Sequence, residues 1–189
     1  MRRLLLALVV VVVAACGVPT DDSPRALPAE RVPFGLLEAD AAGAPTGVPG
    51  AATRRSIYLV RENRLVETTQ EVPAPGTAID TLRELLMGPG AEDVEEGLTT
   101  FIPSGTVVLD VSPPVEGVAT INLSGDLSAA GEGLRLAFAQ IVYTATGVPG
   151  VDRVLFQIDG TPRDVPDDQG ETTAEPLGRS DFAQFRPEG

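Results

Sequence analysis

Apolar and polar positions along this chain form three kinds of pattern, each predicting a different element. Alternation marks half-buried strands. It occurs at Val107, Leu109 and Val111 within residues 106–111, and again at Ala119, Ile121 and Leu123, with Pro113-Pro114 as the turn of a hairpin between them. Val154, Phe156 and Ile158 repeat it in a last strand. A β-rich run, Ser56-Ile57-Tyr58-Leu59-Val60, and a second at Arg64-Leu65-Val66-Glu67 predict another hairpin turning through Glu62-Asn63. Helical spacing appears twice. Ile79, Leu82, Leu85 and Leu86 share one stripe behind Thr77, an N-cap with Asp80 three residues on, and Gly88-Pro89-Gly90 stops that helix. Leu134, Phe138, Ile141, Val142 and Ala145 make the stripe of a second helix that ends before Gly147 and Pro149. The order β-β-α-β-β-α-β predicts an α+β fold, a mostly antiparallel or mixed sheet with both helices on one face. Each helix has one apolar stripe, so each is expected to meet the sheet on one side and water on the other.

The third pattern is at the N-terminus. Arg2 and Arg3 precede an unbroken apolar run over residues 4–13, then Ala14, Ala15 and Cys16. Ten helical residues span roughly 15 Å, about half of a bilayer's hydrocarbon core, so the run reads as an export signal over residues 1–15. Val13-Ala14-Ala15-Cys16 resembles a bacterial lipobox, and the chain's single cysteine stands where a lipobox needs it. That resemblance implies a diacylglycerol thioether on Cys16, often with a further acyl chain on its amine. Residues 16–53 then hold Pro, Gly, Ala and scattered acids with no sustained period. They read as a tether whose flexible reach is roughly 30–37 Å, and residues 54–187 as the domain it carries. The tetrapeptide Gly47-Val48-Pro49-Gly50 recurs at residues 147–150, but no similarity extends outward from either copy.

Composition narrows the chemistry. All 14 basic residues are arginine, there is no histidine, and 27 acids give a net charge of −13. Without His or Lys there is no Ser-His-Asp triad, histidine-ligated metal, Walker lysine or Schiff base. The acidic surface disfavours nucleic acid and anionic headgroups, so membrane attachment falls to the lipid on Cys16. No cofactor is expected.

Several stretches together resemble the GerMN domain of bacterial envelope lipoproteins linked to sporulation and germination. They are Leu85-Leu86-Met87-Gly88-Pro89, Gly97-Leu98 with Ile102-Pro103-Ser104-Gly105-Thr106, Ala119-Thr120-Ile121-Asn122-Leu123-Ser124, and Gln140-Ile141-Val142-Tyr143-Thr144 with residues 151–160. The resemblance implies a ring-building-motif-like module that serves in protein–protein assembly at the envelope, with no catalytic residues. The expected partners are the membrane, through the lipid, and envelope proteins.

Other constellations read as structure first. Pro103-Ser104-Gly105 is a turn into a strand, and Ser104 has no base to activate it. Glu92, Asp93, Glu95 and Glu96 leave open a carboxylate-dependent hydrolase acting on envelope glycan, the alternative function, although tryptophan platforms are absent and tyrosines number two. Asp164, Asp167, Asp168 and Glu171 are hard-oxygen ligands without EF-hand spacing. If Val107, Leu109, Ala119, Ile121, Val154 and Phe156 face the helices, then Tyr58, Val60, Val108, Val118 and Leu155 form a moderately apolar opposite face. Either the C-terminal segment covers it through Leu177, Phe182 and Phe185, or a partner does.

Overall fold

The computed structural model describes residues 51–125, 127 and 131–187. The signal segment, Cys16 and the tether through residue 50 lie outside the described residues. The chain divides into two units, Met1–Ala44 and Pro45–Gly189, and every described residue belongs to the second.

Strands β1 (Ala52–Arg61) and β2 (Arg64–Pro73) form an antiparallel hairpin. Its turn residues Glu62 and Asn63 both take positive φ, as a type I′ turn requires, at the place the sequence predicts. Helix α1 (Ala78–Met87) opens with a full capping box. Thr77 accepts from the Asp80 N–H while the Asp80 carboxylate accepts from the Thr77 N–H. Gly88, at φ 82°, returns its N–H to the Leu85 carbonyl and ends the helix. A short helix α2 (Ala91–Glu95) follows where the sequence suggests only an acidic connection. Asp93 from that acidic run serves as its cap, accepting from Gly90 N–H at 2.9 Å.

Strands β3 (Val107–Val111), β4 (Val118–Ser124), β5 (Arg153–Ile158) and β6 (Thr161–Pro162) form a four-stranded sheet in that order, and helix α3 (Glu132–Ala145) links β4 to β5. The β3–β4 and β5–β6 pairs are antiparallel, and β4–β5 is parallel because α3 supplies the crossover. The hairpin reversal between β3 and β4 lies at Glu116-Gly117, both at positive φ, and not at Pro113-Pro114. Val115 and Val118 exchange both backbone hydrogen bonds across it. Glycine suits position 117 because its φ of 79° lies in the left-handed region, and a Cβ there would also have to push the Asp152 side chain aside. The C-terminal part contributes a two-stranded pair, β7 (Val165–Pro166) with β8 (Thr172–Thr173), and a 3-10 segment (Arg179–Phe185) interrupted at Phe182. The α+β class is as expected. The paired strands, however, fall into three sheets, because the β1–β2 hairpin joins the rest through side chains and one bridge between Val60 and Thr99.

Two further sequence expectations are corrected. Helix α3 does not turn one side to water: all residues from Leu136 to Ala145 are buried. The C-terminal segment and β1 pack on it as well as β5, so its polar face is consumed inside the molecule. In β3 the predicted facing is inverted. Val108 is buried whereas Val107 and Leu109 are 50% and 47% exposed. Pairing jumps from Val108↔Leu123 to Asp110↔Asn122, so Leu109 is the extra residue of a bulge. The bulge turns Val111 inward again three residues after Val108. On β4, Ala119, Ile121 and Leu123 are buried as alternation predicts.

Candidate interaction surface

The core side of the site begins at β1, whose Ile57, Tyr58, Leu59 and Val60 are all buried. The register pairs Tyr58 with Glu67, and the Tyr58 backbone N–H and C=O turn away from β2, towards α3. A strand edge buried without partners would be costly. Here the helix supplies them: Tyr58 N–H donates to Thr144 Oγ1 at 3.1 Å, and Gln140 Nε2 donates to the Tyr58 carbonyl at 2.9 Å. Gln140 Oε1 accepts in turn from the Phe101 N–H and the Thr100 hydroxyl. Two residues further, Val60 and Thr99 exchange backbone hydrogen bonds. Side chains spaced i, i+4 on α3, plus one extended residue pair, thus take the place of a third strand beside the hairpin. Sequence reasoning had Gln140 and Thr144 only as parts of a family-like stretch. The signal that marks them is two polar residues one helical turn apart in an otherwise apolar run.

Tyr58 packs edge-on against Tyr143, ring centroids 5.3 Å apart, and the Arg179 guanidinium lies 5.3 Å and 5.1 Å from the two rings. Arg179 also donates to the Tyr143 carbonyl and the Thr146 hydroxyl. Leu177, Phe182 and Phe185 are buried, and Leu177 bridges Val154. Of the five residues expected on an apolar outer face, Tyr58, Val60 and Val108 are therefore core residues, 3%, 1% and 3% exposed. For Tyr58 the cause is the helix and C-terminal segment just described, and for Val108 it is the bulge.

Burial raises the phenol pKa of both Tyr58 and Tyr143, with the Arg179 charge opposing the shift at each. A raised folded-state pKa means that the fold favours the protonated phenol. This contribution is intact below the ordinary tyrosine value near 10 and is lost as pH rises through the folded pKa. With two tyrosines in the chain, an alkaline titration of tyrosinate absorbance reads both. The expected curve lies above that of free tyrosine and coincides with falling stability; ordinary titration at constant stability would contradict this packing.

The remaining two, Val118 and Leu155, do lie on the side of the four-stranded sheet turned away from the core, both half-buried. The register sets Thr120 beside Leu155, Asn122 beside Gln157 and Ser124 beside Val107 on that side. Leu155 and Thr120 floor a shallow depression of about 210 Å³ rimmed by Pro162, Arg163, Asp164 and Ala174. With exposed Val107 and Leu109 at the β3 edge, this is an open, mixed apolar and amide surface.

The acidic groups are dispersed. Glu92, Asp93, Glu95 and Glu96 sit on or just after the exposed helix α2. Glu62 and Glu67 share a depression of about 370 Å³ with Arg61 and Arg64, but both are exposed and Glu67 accepts from the Ser56 hydroxyl. A glycosidase acid is instead held away from water. Asp167 accepts from the Gln169 and Glu171 N–H groups and closes a turn, whereas Asp168, which is buried, accepts from the Gln184 N–H sixteen residues on and ties down the 3-10 segment. Among the described residues no three acidic or thiol side chains gather as metal ligands, and no helix is long and apolar enough to cross a membrane. Ser104 lies in the expected turn, where the Thr106 N–H bonds the Pro103 carbonyl.

This fold occurs in solved structures. The tandem GerMN domains of the sporulation protein GerM from Bacillus subtilis match with a TM-score of 0.57 and 23% identity over 69% of this chain. The chain spans 48%, about half, of that tandem structure. The first GerMN domain of the same protein matches with a TM-score of 0.53 and 24% identity, over 68% of this chain and 98% of the domain. No curated protein sequence matches. The family profile called Germane, sporulation and spore germination, matches residues 45–164, well over half of the chain, and the chain accordingly belongs to the Germane family.

Proposed function

We propose that this chain is an envelope lipoprotein, exported by residues 1–15 and anchored by lipid on Cys16, whose single GerMN module binds protein partners and performs no catalysis. The observation that supports it best is the division of labour between the two sides of the four-stranded sheet. One side is closed by α1 and α3, while the other leaves Val107 and Leu109 exposed beside half-buried Val118 and Leu155. Apolar groups left in water at a sheet edge favour association. The family's description and the sporulation role of GerM favour an assembly task at the envelope of a sporulating or germinating cell.

A Leu109→Glu variant tests this reading. Leu109 is exposed, so its replacement should shift stability by no more than about 0.5 kcal/mol. The charge should nevertheless abolish the complex captured by crosslinking from intact membranes. A complex of unchanged yield, with the fold intact by circular dichroism, would remove this face from the account.

A further inference from the structure

At the end of the hairpin opposite the Glu62-Asn63 turn lies an open groove of about 470 Å³, walled by Pro75, Ala78, Ile79, Val111, Pro114 and Val151. Its one charged lining residue, Arg55, is bound into the wall, with Nε donating to the Gly76 carbonyl and a terminal nitrogen to that of Pro75. The groove is thus apolar and fixed in shape by the turn that follows β2.

We propose that the groove is the docking site of this chain's own residues 45–50, Pro45-Thr46-Gly47-Val48-Pro49-Gly50, with Val48 and Pro49 seated in it. The proposal goes beyond the binding function and is independent of how the module is anchored. Four observations carry it. First, the described chain starts at the lip of the groove: the Ala51 carbonyl accepts from the Ala74 N–H at 2.9 Å, and Pro75 is the next residue. Second, six residues span at most about 20 Å, so this segment can turn back into the groove and cannot travel far from it. Third, the charged residues of the tether end at Asp40: residues 41–53 carry none, and within that stretch residues 45–50 offer Pro, Val and Gly to an apolar wall. Fourth, the family match begins at residue 45 and not at the first strand. A segment joined directly to its site acts at an effective concentration in the millimolar range, which favours it over a second copy or a separate peptide. Docking shortens the free tether to residues 17–44, with a flexible reach of roughly 26–32 Å.

The test uses the full chain with Cys16→Ser, which removes the native thiol. Val48→Cys is combined with Ala78→Cys in the groove wall or, as a control, with Ser124→Cys at the far end of β4. Under mild oxidation with diamide, the Val48–Ala78 pair should close within one molecule at least tenfold faster than the control. In the otherwise native chain, Val48→Asp should raise amide hydrogen exchange at residues 76–79 and 111–112 on the order of tenfold, the loss expected when one valine leaves an apolar site. Equal closure of the two pairs overturns the proposal, as does unchanged exchange in Val48→Asp. Crosslinks between molecules, with yields that rise with concentration, also overturn it and assign the groove to a second copy.

Discussion

Replacing Gln140 with leucine should destabilise the domain by about 3 kcal/mol or more, although leucine is close in size and favourable in a helix. Gln140 is fully buried, and its amide bonds three groups on two segments: the Tyr58 carbonyl of β1, and the Phe101 N–H and Thr100 hydroxyl of the loop before β3. Leucine fills the space and bonds none of them. Each buried group left without a partner costs about 1–3 kcal/mol. The Thr100 hydroxyl can turn elsewhere, but the two backbone groups cannot. Against a total stability of about 5–15 kcal/mol, the loss is a large fraction of what holds the fold. Urea denaturation checks it: the midpoint should fall sharply with little change in slope. Gln157→Leu, on the half-buried outer side of β5, is the matched control and should shift the midpoint little. If the two variants were equally mild, the helix would not be serving as the missing strand beside β1.

The second large effect is all or none. A Cys16→Ala variant should leave the membrane fraction or accumulate with its signal uncleaved, because the proposed anchor attaches its lipid through that thiol. The described residues offer no substitute. No helix among the described residues can span a bilayer, and a net charge of −13 is repelled by anionic headgroups. Two acyl chains hold a protein on a membrane where one alone is marginal, so the mature wild-type protein should stay bound through washes at high salt. Fractionation with intact-mass measurement reads both the location and the diacylglycerol mass on Cys16. Normal processing and full retention of the alanine variant would defeat the lipid anchor.

Much of the fold was legible in the sequence where one local rule decides the outcome. Thr77 and Asp80 form the capping box that their spacing announces, Glu62-Asn63 makes the tight turn, and the alternation of β4 gives its buried side directly. The failures occur where a distant partner decides. Strand β3 alternates as cleanly as β4, but a bulge set by its pairing inverts which residues are buried, and no property of residues 107–111 alone reveals it. Helix α3 carries one obvious stripe and is nevertheless enclosed, since the C-terminal segment that covers it contains strands of two residues, too short to show a period. The same cover explains the mixed outcome at the surface. Tyr58 and Val60 belong to the core that Phe182 and Phe185 close, whereas Val118 and Leu155 remain on the outer side of the sheet. Gln140 and Thr144 were visible as residues but not as strand substitutes, because that role requires knowing which edge α3 lies along.

The reading of this protein as a binding module stands or falls with the outer side of the four-stranded sheet. A photoreactive amino acid placed at position 109, and separately at the exposed position 95 on α2, can be activated in intact membranes. The account predicts one discrete protein adduct from position 109 and none from position 95. No adduct from 109, or the same products from both positions, would contradict it.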